Sequence, residues 1–196
     1  MTEILRKTAT AMMTKPMAKK VTTPLTEEKI ARFRAGDMLL LNGIVYGARD
    51  MAHKRMLSSI KNNESLPFDI NGAAIFYVGP SPAPPGKSCG SVGPTTSARM
   101  DSLSQPLLAR GLKAMIGKGQ RSPDFKKLLS LYNAVYMVAV GGIAAYLSQK
   151  VESIKPIAYN DLGAEAIFSI ILKDFPVFVA YDVYGGDIFR QALRVE

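Results

Sequence analysis

The sequence predicts a single α/β domain with a mixed central sheet. Short apolar runs of strand length, at residues 38–45, 73–78 and 135–140, alternate with segments whose apolar residues recur at helical spacing. The 196 residues are 47% hydrophobic, with 8 Tyr, 8 Phe and no Trp, which is enough apolar side chain for one sizeable core. No internal repeat divides the chain, and in its last third strand-like runs follow one another directly, so the sheet is not purely parallel.

Thr26 can cap a short helix that carries Glu27 and Glu28 in its first turn, where the helix dipole favours acids. Gly36 and Asp37 end it. Residues 38–45 read as a strand. After Arg49 a helix follows, with Ala52, Met56 and Ile60 recurring every four residues. Residues 73–78 form a second buried strand, which runs into a loop at 79–97 holding five Pro and four Gly, too irregular for either regular element. Asp101 reads as the cap of the next helix, with Leu103, Leu107 and Met115 on one face, before a glycine-flanked segment around Lys118. Beyond Arg121 a helix over 123–132 leads into the strand 135–140, then Gly141, Gly142 and a short helix through Lys150. The apolar runs 166–172 and 176–181, separated by Lys173, Asp174 and Phe175, read as adjacent strands joined by a tight connection.

The 25 Lys and Arg against 16 Asp and Glu give a net charge of +9, which favours anionic partners without naming them. Residues 1–20 hold Arg6, Lys7, Lys15, Lys19 and Lys20 against Glu3 alone, so +4 of that charge lies there. The plain reading makes 1–21 a mobile basic tail ahead of a folded domain at 22–196. A nucleic-acid or lipid-binding arm would interleave aromatic residues with the basic ones, and none are present.

One Cys and one His set a sharper limit. A self-contained structural zinc site or Cys-ligated iron–sulfur cluster needs about four such ligands, so Cys89 and His53 build neither, and any metal chemistry draws most of its ligands from another chain. A single Cys forms no intrachain disulfide, and no basic-then-apolar signal segment is found, so the cytoplasm is the default location. The apolar runs fall well short of the roughly 20 residues that span a bilayer, and no membrane helix is expected.

Four stretches invite a chemical reading. Gly86, Lys87 and Ser88 follow a strand, but a phosphate loop requires Gly at 81, which is Ser, and the surrounding prolines lack the N–H groups that would cradle a phosphate. Gly141 and Gly142 either present backbone amides to an anion or just permit a tight turn. His53, beside Lys54 and Arg55, is a surface or hydrogen-bonded helical residue or else an acid–base group, and Cys89 in a Gly- and Ser-rich loop reads as a small-residue position.

The fourth stretch, residues 93–101, is stronger. Thr95, Thr96 and Ser97 stand just before a helix start with Arg99 within one turn; any one hydroxyl could merely cap the helix. Arg49 also stands at a helix N-terminus, where the dipole disfavours a cation. Two arginines placed against that preference indicate an anion between them and the helix ends, and the planar guanidinium fork suits a carboxylate.

These residues, together with 48–55, 118–122 and 159–167, closely resemble the β subunit of the iron–sulfur class I fumarases and L-tartrate dehydratases. The similarity runs in order over about 22–189 and leaves the basic head outside. It implies a hydro-lyase interconverting malate and fumarate, or a close dicarboxylate relative, on a swivelling β/β/α domain that closes one side of the active site. It also implies a 4Fe-4S cluster held by three Cys of a partner α subunit and not by this chain, with its fourth iron taking the substrate hydroxyl. Arg49, Arg99 and Lys118 fall where the family holds substrate carboxylates, and Thr95 where a proton leaves carbon. The sequence departs from the family in the neighbours of Arg49, at Gly47 and Met51, and in Gln120 where Asn is common. Fumarate is the leading substrate and tartrate the rival; a basic anion-binding module without catalysis is the more distant alternative.

Overall fold

Strand periodicity decides the layers of this molecule, whose computed structural model describes residues 18–81, 90–139 and 144–192. The elements in chain order are β1 (Lys19–Thr22), α1 (Glu27–Ile30), β2 (Met38–Gly47), α2 (Asp50–Lys61), β3 (Ala74–Phe76), α3 (Asp101–Leu108), β4 (Ala114–Gly117), α4 (Pro123–Leu131), β5 (Val135–Val138), α5 (Ala144–Ser148), β6 (Val151–Ala158), β7 (Ile167–Tyr181) and α6 (Ile188–Ala192). A 3-10 turn at Ala98–Met100 precedes α3, and two 3-10 turns across a kink at Gly163 make up Asn160–Glu165 ahead of β7.

Strands β1 to β5 pair in parallel in sequence order, and β7 runs antiparallel to β2, β5 and β6. Because β7 hydrogen-bonds to both β2 and β5, the strands β2, β3, β4, β5 and β7 close into a ring. The α/β class with a mixed central sheet is therefore as the sequence predicts, with closure added.

Alternation along each strand feeds two apolar layers. Leu39, Leu41, Val45, Phe76, Ile116, Met137, Phe175 and Val177 fill the inside of the ring. Their neighbours Ile75, Tyr77, Met115 and Tyr136 point outward and pack under Ala52 and Met56 of α2, Leu107 and Leu108 of α3, and Phe125 and Leu129 of α4. Each fully buried Leu, Met or Phe of these layers contributes about 1.5–3 kcal/mol.

Thr26 caps α1 as expected, its hydroxyl accepting from the Lys29 N–H at 3.3 Å. Several expectations change. Residues 166–181 do not contain a tight turn: β7 is one strand, both halves pairing with β2, and the polar break is a bend with Asp174 at φ 47° opposite a register shift at Leu41/Gly43. Met115 belongs to β4, not to a helix, because α3 ends at Leu108. Asp101 does not cap α3; its carboxylate turns to Arg121 and to the Ser122 N–H. Lys19, Lys20 and Val21, placed by charge in the tail, lie in β1, held by parallel pairing to Leu39, Leu40 and Leu41. The expectations for Cys89, Gly86, Lys87, Gly141 and Gly142 fall outside the described residues.

Candidate functional site

Parallel strands end together. The register aligns Gly47 of β2 with Phe76 of β3, and Phe76 with Ile116 of β4, so the segments that leave these strands share one edge of the sheet. That edge, beyond the carboxyl ends of parallel strands, is where α/β sheets, open or closed, commonly place their ligands. It carries Arg49 two residues after β2, Gly79 three after β3, and Lys118 immediately after β4.

Arg49 is the N-cap of α2 and makes no capping hydrogen bond through its side chain. Its guanidinium lies 3.4 Å from Glu165 Oε1 and, through Nε, 3.9 Å from Asp50 Oδ2. Gly79 permits this placement, since a Cβ there would come within 2.7 Å of Arg49 Nη1 and 3.1 Å of the Ala164 carbonyl. Arg99, in the 3-10 turn ahead of α3, donates from Nε to Asp50 Oδ1 at 2.7 Å. An anion of the same chain, Asp50, thus lies between the two arginines. Burial pushes the Asp50 carboxyl up, but the Arg99 hydrogen bond and the two guanidinium charges outweigh it and hold the group below its ordinary value.

Thr95 and Lys118 are joined by backbone. The Lys118 N–H donates to the Thr95 carbonyl at 3.2 Å, and the Ser97 N–H to the Lys118 carbonyl at 3.1 Å, in a short parallel bridge. The Tyr77 carbonyl accepts both the Thr95 N–H, at 2.8 Å, and the Thr95 hydroxyl, at 3.0 Å. Neither this hydroxyl nor that of Ser97 caps the helix; Ser97 is buried, with Tyr136 Oη at 2.9 Å. The Thr95 hydroxyl proton is directed onto a carbonyl, its lone pairs are turned away from it, and its residue is half-buried. Lys118 is exposed.

Behind this edge lies a buried polar layer. His53 is fully buried, and its Nδ1 donates to the Arg49 carbonyl at 2.9 Å, which fixes the Nδ1–H tautomer. The ring is hydrogen-bonded as the first reading expects, but it is buried and not at the surface, and its Nε2 has no hydrogen-bond partner among the described residues. Burial pushes its pKa down to about 4, with the Arg121 charge adding to the fall and the Arg49 carbonyl and Asp50 opposing it. Arg121 has no exposed side-chain surface; it pairs with Asp101 and lies 3.6 Å over the Phe125 ring. Tyr77 Oη, 2.8 Å from Ser104 Oγ, completes this layer.

Among the described residues no group of three or more His, Cys, Asp or Glu could hold a metal ion, and the chain has one Cys. These residues do not fit a self-contained iron–sulfur site. No helix among the described residues is long and apolar enough to cross a membrane.

Residues 2–192 match the sequence model of the family described as Fumarase C-terminus. The chain belongs to that family. The match takes in most of the basic head that the motif resemblance left outside. A putative L(+)-tartrate dehydratase subunit beta of Methanocaldococcus jannaschii is 36% identical over 173 residues, covering 85% of this chain and 89% of that protein. The L(+)-tartrate dehydratase subunit beta of Escherichia coli K12 is 32% identical over 180 residues, covering 89% and 88%. The aerobic class I fumarate hydratase of the same strain is 37% identical over 165 residues, 83% of this chain but 30% of the enzyme. The chain therefore matches the β-subunit relatives over nearly their whole length and spans about a third of the single-chain fumarate hydratases.

Asp50, Glu165 and Gly79 are the residues that sequence reasoning missed. An acid one place into a helix reads as ordinary compensation of the dipole. Glu165 and Gly79 carry no signal at all until the turn at Asn160–Glu165 and the end of β3 are brought beside Arg49.

Proposed function

We propose that this chain is the β subunit of a two-subunit hydro-lyase of the cytoplasm, most simply a fumarate hydratase interconverting fumarate and malate. The observation that carries the reading is the pair of guanidinium groups, Arg49 and Arg99, gathered about one carboxylate at the carboxyl ends of β2 and β3, in a chain that matches β subunits over nearly their full length.

Arg49, Arg99 and Lys118 bind the two carboxylates of the substrate. Loss of a proton from the carbon beside a carboxylate spreads negative charge onto that carboxylate, so cations fixed in place before the reaction hold the transition state more tightly than the ground state. Thr95 stands at the carbon that loses the proton. Its hydroxyl is a weak base, and among the described residues its hydrogen bonds run only to backbone, so a carboxylate of the α subunit completes the proton path. The 4Fe-4S cluster of the assembly belongs to the α subunit, and the chemistry assigned to this chain does not run through it.

The experiment is hydration of fumarate and dehydration of L-tartrate by this chain with and without its α subunit, each substrate competed against the other. Activity only in the pair, with fumarate preferred, is expected. Full activity of the isolated chain overturns the subunit assignment, and a preference for tartrate moves the chain to the tartrate dehydratases, whose β subunits it matches at similar identity. Steep salt-dependent binding of nucleic acid without any response to a dicarboxylate would mark the basic module instead.

A further inference from the structure

We infer that Asp50 is a positioning residue, whose carboxylate, seated between Arg49 and Arg99, sets the orientation of both guanidinium groups toward a dicarboxylate. The inference rests on the carboxylate-binding reading above. Arg99 gives its Nε–H to Asp50 Oδ1 at 2.7 Å, and among the described residues its terminal nitrogens have no protein partner. A guanidinium held at Nε still offers the edge formed by its two terminal nitrogens for a bidentate pair with a second carboxylate.

Arg49 is more weakly tied. Its Nε is buried without a hydrogen-bond partner, so its direction is set by charge: Asp50 Oδ2 at 3.9 Å on one side and Glu165 Oε1 at 3.4 Å on the other. Glu165 is itself anchored, its Oε2 accepting the Met51 N–H of α2 at 3.0 Å. Asp50 is the first residue of α2, so the helix fixes its backbone, and the Arg99 hydrogen bond holds its carboxylate. The two acids therefore form a seat under two cations, and among the described residues Asp50 is the acid paired with both.

A different role would have the opposite sign. If Asp50 only occupied the anion site, competing with substrate, its removal would strengthen dicarboxylate binding; if it positions the arginines, its removal weakens it. In the enzyme assembled with its α subunit, Asp50→Asn is expected to lower kcat/KM by about ten- to a hundredfold, the scale of a misplacement of about 1 Å in a positioned group. KM should carry part of the loss and Asp50→Glu should recover part of it. Because Asp50 acts through Arg99, Asp50→Asn on an Arg99→Lys background should cost much less than on the wild type. An unchanged or lowered KM in Asp50→Asn, or independent multiplication of the two effects, overturns the inference.

An assembly inert toward fumarate and tartrate would sink the functional reading but leave a separate measurement. Titrating the full chain with L-malate and following the arginine Nε–H resonances should shift Arg99 in the wild type, with about tenfold weaker binding in Asp50→Asn. A wild type that does not respond, or a variant that binds as well, overturns the positioning role.

Discussion

His53 offers a test of the buried layer behind the site, and the chain's single His makes the test clean. In the folded state its pKa is pushed down to about 4, against 6.5 for a free imidazole. As pH falls below about 6.5 the unfolded chain takes up a proton that the folded chain refuses until about pH 4, so the unfolded state binds more protons and stability drops across that window. Between pH 7 and pH 5 the loss from this residue comes to about 2 kcal/mol. Carboxylates add little there. Asp50, Asp161, Asp174 and Asp187 have lowered folded pKa values, so the stability they supply is present above their ordinary value and is lost only at more acid pH. Urea unfolding of the full chain, followed by circular dichroism at the two pH values, should show the wild-type midpoint falling by about 1 M. His53→Gln has no proton to take up; whatever its stability at pH 7, its midpoint should barely move between the two. An equal fall in both proteins, or a flat wild type, would refute the burial argument. The same ring donates to the Arg49 carbonyl, so the residue under test lies directly beneath the proposed carboxylate site.

Arg99→Ala should abolish turnover in the assembled enzyme, by about a hundredfold or more for a charged contact that tightens in the transition state, while the circular dichroism of the subunit stays unchanged; Lys118→Met should act alike, with loss of substrate binding as the readout. Gly79→Ala puts a methyl 2.7 Å from Arg49 Nη1, so Arg49 must shift; kcat/KM should fall by about a hundredfold at a cost in stability of only about 1 kcal/mol, measured by steady-state kinetics beside thermal melts. Asp101→Ala leaves the fully enclosed Arg121 side chain without its counter-charge, and should lower unfolding stability by about 3 kcal/mol in denaturant titration.

The elements legible in the sequence are those whose burial is one-sided or complete over enough residues to show a period. The α2 stripe of Ala52, Met56 and Ile60 is such a case, as are the apolar runs of β2 and β5. Four-residue β4 was not, because Ala114 to Gly117 continues the apolar spacing of the helix before it, and only its parallel pairing to β3 and β5 distinguishes the two. β6 was hidden for the opposite reason: a strand exposed along much of its length, with Lys155 and Pro156 in its middle, has no apolar face to read. The polar break in β7 carried the turn's composition without its geometry. Lys173 and Asp174 look outward at a bend, and the Asp174 N–H that a turn would bond locally goes instead to Asn42 Oδ1 across the sheet.

For the site, sequence reasoning found the cations by an inconsistency. Arg49 and Arg99 stand where a helix dipole repels them, and an inconsistency of that kind demands a compensating anion. The structure supplies one, Asp50, adjacent in sequence to Arg49 and 49 residues from Arg99. The inconsistency is thereby lessened but not removed: Arg49, Arg99, Asp50, Glu165 and Lys118 together still carry one net positive charge at the carboxyl edge of the sheet. On the proposed reading, a dicarboxylate arriving there meets two guanidinium groups already paired with acids of the same fold, so less of its binding energy is lost to ordering them. On that reading the acids beneath the arginines belong to the site as positioning groups, and an inventory of basic residues alone would have counted Asp50 against it.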